Sequence, residues 1–361
     1  MKNSVCKIGA MAVLLLGSCL TAQEKKTPAQ GVPDLGITVH RISPRAAVFN
    51  VGPWNNSYLA LSTQKGIVVV DSGFSDTVAQ AVRAAIQAEF KRKDFAFLIN
   101  SHEHSDHIFG NSAYSDVPIV GSDLLRAAML AMKSDPAIVA DRLAIPKESL
   151  ARMQQDKADP KLAASLEIAL GEGFWKTVQA DYAAGVDYVP PTITFDRKMK
   201  LDLGDVSVNL FSFGHWHSKA DTLVSIPEQG IVRLGAVLYA GRMPIVSGPY
   251  APKEKLTAAI VSNWIAMLNE VLSETNEKTQ FVSCHGWSVM NKAQVSQQVA
   301  YLEKLWNEVR SAKAAGRTLE QAKADLSRTE RFSEVADLAG AADGISNVHE
   351  HNIQALWNAA L

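Results

Sequence analysis

One six-residue stretch constrains this chain more than any other: His102-Glu103-His104-Ser105-Asp106-His107. It starts just after the apolar run Phe95–Ile99, which reads as a short buried strand. Three imidazoles and a carboxylate are costly to crowd together unless a cation neutralises and orders them, and zinc does this well. In extended backbone, residues i and i+2 face the same way, so His102 and His104 can grip one ion. Asp106 and His107 continue into the turn before Gly110 and can reach a second ion. Two more clusters follow, Gly214-His215-Trp216-His217-Ser218-Lys219-Ala220-Asp221 and Ser283-Cys284-His285-Gly286-Trp287. The three clusters hold six of the nine histidines, and each follows a predicted strand. Ligand crevices in α/β sheets form at such C-terminal strand ends.

The pattern around the clusters is α/β. Predicted strands cover Ile37–Ile42, Ala46–Val51, Tyr58–Ser62 and Ile67–Val70, the last ending in Asp71-Ser72-Gly73. Residues 75–92 show helical periodicity, with Val78, Val82, Ala85 and Ile86 on one face. A strand at Val117–Val120 leads to a helix capped by Ser122. Residues 134–185 are Ala-, Lys- and Asp-rich and helical in pattern, with no chemistry of their own. They read as an insertion, either a lid over the site or a spacer over the core. Strands resume at Thr192–Phe195, Lys198–Leu203, Val206–Phe213, Thr222–Ile226 and Ile231–Leu234, and again at Gln280–Ser283. Helices are predicted over 254–273 and 291–313, and more of them from Thr318 onward. The resulting organisation is 1–22 signal, 23–36 linker, 37–315 main domain with its insertion, and 316–361 helical extension.

At 361 residues and 47% hydrophobic, the chain can bury a sizeable core. A formal net charge of −1 gives no support to nucleic-acid binding. Lys2 and Lys7 precede an apolar run, Ile8–Leu16, too short to span a bilayer as a helix, as in a secretory signal. Two cleavage readings stand side by side. Leu16-Gly17-Ser18-Cys19 resembles a lipobox and would leave Cys19 lipidated, whereas Leu20-Thr21-Ala22 before Gln23 resembles an ordinary cleavage site. Either way the mature protein is expected to be exported, periplasmic or lipid-anchored. Cys284 is the sole cysteine outside the signal region, so no disulfide is available in the body of the chain.

The motifs together resemble the metallo-β-lactamase superfamily. His-x-His-x-Asp-His, Gly110-Asn111 after it, Asp71-Ser72-Gly73 before it, His217-Ser218-Lys219-Ala220-Asp221-Thr222 and Cys284-His285-Gly286 all have counterparts there, over roughly residues 38–310. The resemblance implies a four-layer αββα sandwich with Zn2+, one or two ions per chain, in the cleft between the sheets. It implies that His102, His104 and His217, rather than His215, hold the first ion. Asp106, His107 and His285 would hold the second, with Asp71 orienting a ligand imidazole. There is one departure: Ala236 stands where many family hydrolases carry an aspartate that bridges both ions. This leaves the second site short of an anion, as in true β-lactamases, and admits a one-metal enzyme.

The expected activity is hydrolysis of a small-molecule substrate by metal-bound hydroxide at a carbonyl-type bond, such as a β-lactam. Asp106 is the expected catalytic residue, orienting the water and shuttling its proton. The competing readings are hydrolysis of another ester, lactone or sulfate ester, an iron-dependent sulfur or oxygen oxidoreductase on the same ligands, and a non-catalytic metal-binding protein. Among softer candidates, Trp216 and Trp287 either line a pocket or pack under the loops. Tyr239 and Arg242 read as surface residues, with contact to an anionic substrate as the alternative. His349 and His351 read as exposed helix residues. Cys284 reads as a buried small apolar residue, with soft metal ligation as the alternative.

Overall fold

The computed structural model describes residues 24–25, 35–158, 166–246, 256–285, 289–327, 331–332, 338 and 347–360. The signal region, Gly286 and Trp287 lie outside them. The first sheet has eight strands in sequence order: β1 (Glu24–Lys25), β2 (Thr38–Arg41), β3 (Ala46–Val51), β4 (Asn56–Thr63), β5 (Gly66–Val70), β6 (Phe95–Ile99), β7 (Ile119–Ser122) and β8 (Ile193–Phe195). It is antiparallel through β5 and parallel from β5 to β8. The second sheet runs β14 (Val289–Met290), β13 (Gln280–Ser283), β12 (Ile231–Gly235), β11 (Asp221–Ile226), β10 (Ser207–Gly214) and β9 (Lys198–Asp202). In the stretch expected to be a linker, Glu24–Lys25 pairs with Thr38 and Val39 as the first edge strand.

The strand alternation builds the layers. In β5, Val68 and Val70 face the second sheet, meeting Val208, Val224 and Val282 in the core between the sheets. Ile67 and Val69 face outward, where they pack under α1 (Asp76–Phe90) with Val78, Val82 and Ile86. The second sheet sends Leu223, Val232 and Phe281 to its own outer face. There they meet Trp264 and Leu268 of α6 (Ala258–Ser273) and Leu302 and Leu305 of α7 (Lys292–Ala314). Helix, sheet, sheet and helix therefore stack as four layers, the αββα arrangement expected.

Among the described residues, four α-helices lie between β6 and β8: the single turn α2 (Ser105–Ile108), α3 (Asp123–Ser134) and then the insertion, α4 (Ala140–Asp156) and α5 (Leu166–Ala184). Ser122 caps α3 through the Leu125 N–H, as its position in the sequence suggested. The insertion is docked rather than loose. Phe174 and Trp175 of α5 pack edge-on against Phe74, with centroids 5.6 and 5.2 Å away. Asp181 accepts bonds from Thr77 N and Oγ1 at the start of α1. At the C-terminus, α8 (Leu319–Asp325) and α9 (Val348–Ala359) cover α7. His349 on α9, expected to be exposed, is buried, with Nδ1 2.9 Å from Tyr301 Oη and Nε2 2.6 Å from Leu326 O. His351 is half-buried and its Nε2 lies 3.1 Å from Val246 O. Two residues apart on a helix, the two imidazoles point in different directions, and partners from different parts of the chain satisfy each. Among the described residues, no helix is long and apolar enough to cross a membrane.

Candidate metal centre

The first cluster takes its shape from where β6 stops. Residues 100–104 stay non-helical, and His104, with φ −71° and ψ 147°, is the last extended residue before the turn of α2. His102 and His104 therefore sit on the extended part, Asp106 and His107 on the helical turn. Ser72 N donates to His107 O at 2.8 Å, and Gly110 N to Gly73 O at 2.9 Å, which clamps the motif onto the segment after β5. A Cβ on Gly110 would lie 2.6 Å from Ser72 O and 2.5 Å from Ala79 Cβ, so only glycine allows this approach. Asn111 exchanges amide hydrogen bonds with Asn100, at 3.0 and 2.9 Å, which closes the loop.

The other two clusters arrive by contacts between the sheets. Thr222 N donates to Ser101 O at 2.8 Å, drawing the start of β11 and the loop before it to the first motif. Asn56, at the start of β4, bridges to His285, and Ser57 N donates to Cys284 O at 2.8 Å. Arg233 on β12 is fully buried and ties the sheets from inside. It donates to Ser57 Oγ and Ser283 O, each at 2.5 Å, to Ser57 O, and to Asp71 Oδ2 at 3.1 Å.

Two groups of donors result. His102, His104 and His217 form one, with their ligating atoms within 4.8 Å of one another. His107, Cys284 and His285 form the other, within the same limit. Asp106 Oδ2 joins the second group, 2.9 Å from His107 Nε2 and 3.4 Å from His285 Nε2, and it accepts a 2.6 Å bond from Asn56 Nδ2. All six residues expected as ligands come together, and His217 rather than His215 belongs to the first group. Cys284 is buried, as expected, but its sulfur reaches the second group. Ala236 is buried and offers no donor side chain.

The electrostatics suit a cation. His102 Nδ1 lies 2.9 Å from Ser101 Oγ, while its Nε2 is buried without a hydrogen-bond partner. An orphaned imidazole nitrogen of this kind is costly unless something binds it. Burial, then the surrounding imidazoles, lower the pKa of His102 well below the ordinary value; burial, then Arg142 and His217, do so for His104. Both are thus neutral and ready to donate lone pairs. Burial raises the Asp106 carboxyl, but His107, His285 and His104 outweigh it and hold the group ionised. Burial lowers His107, but Asp106 and Asp71 outweigh it and hold the imidazole protonated. A divalent ion would displace that proton. Asp71 Oδ2 lies 3.1 Å from His107 Nδ1, the geometry that leaves Nε2 pointing at the site.

Several neighbours were not legible in the sequence. Glu103, buried between the two histidines, accepts a 2.9 Å bond from Lys219 N and so ties the first cluster to the second. Arg142 of α4 donates to Glu103 O, so the insertion, read as free of chemistry, braces the motif from outside. Tyr239, expected at the surface, is buried, with its hydroxyl 3.2 Å from His217 Nδ1 and its ring stacked 6.1 Å from His285. Arg242, read as a surface residue, is half-buried. Trp216 packs under the loop, its N–H backbone donating to Asp221 Oδ2 at 3.0 Å.

Stacked helix–sheet–sheet–helix layers with histidines converging at the strand ends define a class, the metallo-hydrolase folds. Within that class the chain belongs to the metallo-β-lactamase superfamily, whose family model matches residues 52–284. Among solved structures, it is similar to the stereoselective inverting sec-alkylsulfatase Pisa1 from Pseudomonas sp., with 15% identity and a TM-score of 0.61 over 88% of this chain. The chain spans about half the length of that protein, 49%. It is also similar to a metallo-β-lactamase from Pontibacter korlensis, with 15% identity and a TM-score of 0.47, over 74% of this chain and 99% of that one. A metallo-β-lactamase from Erythrobacter litoralis gives 12% identity and a TM-score of 0.47, over 74% and 96%. No curated protein matches the chain.

Proposed function

We propose that this protein is an exported, zinc-dependent hydrolase that cleaves a carbonyl-type bond in a small molecule, a β-lactam being the first substrate to test. The observation that carries the reading is the meeting of two buried donor groups, His102/His104/His217 and His107/His285 with Asp106, at one end of both sheets. Bound zinc would supply a Lewis acid and lower the pKa of its water from 15.7 to about 7, making a nucleophile available at neutral pH. The chain's own residues do the rest. His102, His104 and His217 would bind the ion as neutral imidazoles, which leave it strongly electrophilic. Asn56 Nδ2 fixes the Asp106 carboxylate, so Asp106 can orient the attacking water and accept its proton. Asp71 fixes His107, and Tyr239 braces His217.

The test is metal analysis of the purified protein, then chelation and zinc restoration, with hydrolysis of a chromogenic cephalosporin and of a secondary alkyl sulfate as readouts. Cephalosporin turnover lost on chelation, regained with zinc and abolished by Asp106→Asn supports the reading. Turnover of the sulfate alone moves the substrate to a sulfate ester. Iron in the protein together with oxygen consumption overturns the hydrolytic reading, and activity indifferent to the chelator overturns the metal-centre reading.

A further inference from the structure

We propose that Cys284 is a thiolate ligand of the second metal ion, completing a four-donor site with Asp106, His107 and His285. This rests on the metal-centre reading above and assigns a donor beyond it. The cysteine follows β13 directly, and its backbone is pinned on both sides: Cys284 N donates to Gly235 O at 3.0 Å, and its carbonyl accepts from Ser57 N at 2.8 Å. With the main chain fixed between β4 and β12, the side chain is delivered to the floor of the site. Its Sγ lies within 4.8 Å of ligating nitrogens of both His107 and His285. In a tetrahedral zinc site, bonds of about 2.3 Å to sulfur and 2.0–2.1 Å to nitrogen place neighbouring donors roughly 3.3–3.6 Å apart. Asp106 Oδ2 already stands 2.9 and 3.4 Å from the two imidazoles, so a small closure of the sulfur completes the shell.

The charge balance favours the thiolate. Without it, the second ion faces two imidazoles and a single carboxylate, and Ala236 at the end of β12 contributes nothing. On coordination the S–H bond breaks, the sulfur lone pair binds the ion, and the proton leaves to solvent. Two anions then neutralise a divalent charge in a site where every donor residue is buried. The site becomes harder to strip and softer in its metal preference.

Cobalt(II) titration of the full-length, metal-stripped protein tests this. Expected are visible d–d bands as ions bind, and a near-ultraviolet thiolate-to-cobalt charge-transfer band that grows with the second equivalent. Cys284→Ala should lose the near-ultraviolet band, keep the d–d bands and bind the second equivalent more than about tenfold more weakly. If cobalt binds with d–d bands but no thiolate band, the metal centre stands and the cysteine assignment falls. If no cobalt binds, both fall. A band surviving in Cys284→Ala comes from another thiol and overturns the assignment. Should that variant not fold, alkylation of the wild-type chain decides. Mass-spectrometric labelling at Cys284 must be suppressed by the second zinc equivalent, and equal labelling with and without zinc overturns the proposal.

Discussion

Replacing Asp71 with asparagine would probe how the fold and the second donor group depend on one buried charge. Asp71 is fully buried. Its Oδ1 accepts Ser101 N at 2.8 Å, while Oδ2 faces Ser101 Oγ at 2.9 Å, and His107 Nδ1 and Arg233 Nη2, each at 3.1 Å. Burial raises the carboxyl, but His107, then Arg233 and Ser101, pull it below the ordinary value of 3.8. Asparagine keeps the shape and tolerates the positive φ of 71°. It still accepts the bond from Ser101 N. It also turns an amide donor toward the His107 and Arg233 donors and leaves the guanidinium buried without its anion. Breaking a buried pair from one side costs about 3–5 kcal/mol. In a chain of this size that lowers the melting temperature by on the order of 10 °C. Urea and thermal unfolding at pH 7, with a double-mutant cycle through Arg233→Met, measure it. The double variant should lose less than the sum of the singles, since removing the cation relieves the unpaired charge. Because Asp71 has a depressed pKa, its contribution is present above about pH 4 and fades as pH falls below that, so the variant should lose that part of the acid dependence. Affinity for the second metal equivalent should also fall by roughly 10–100-fold, through a His107 that has lost its orienting acceptor, with the first equivalent little changed. A loss under about 1 kcal/mol, or strict additivity in the cycle, would refute the idea that this carboxylate couples the sheets to the site.

Two other predictions concern the first donor group. Tyr239→Phe removes only the hydroxyl 3.2 Å from His217 Nδ1; binding of the first metal equivalent should weaken by roughly tenfold, measured by competition with a chromophoric chelator. Burial, then the charge of Glu103, pushes Asp221 up to about 7. The folded, metal-free protein therefore holds a proton that the unfolded chain has already lost, and stability falls as pH rises from about 4 to about 7. Asp221→Asn, whose amide can still serve Trp216 N and Ser218 N, should flatten that slope in urea midpoints taken across the window.

The first cluster was legible in the sequence because its geometry is local. A strand that ends at Ile99, two extended residues of the same parity and one helical turn bring His102, His104, Asp106 and His107 together within six residues, and distant contacts such as Asp71 to His107 and Asn56 to Asp106 only refine their aim. The layers were legible too, since β5 is an unbroken apolar run, as a strand covered on both faces must be, and the helical period in α1 declares its buried face. Tertiary structure decided the rest, because those periods say nothing about which distant residues meet. The resemblance already pointed to His217 over His215, but the contacts of Glu103 with Lys219 and of Thr222 with Ser101 that draw the second loop inward are tertiary. The burial of Tyr239 and His349, the brace from Arg142 and the reach of Cys284 to His107 depend on contacts between residues more than twenty positions apart. Such contacts depend on how distant elements pack, and no pattern along a single element encodes them.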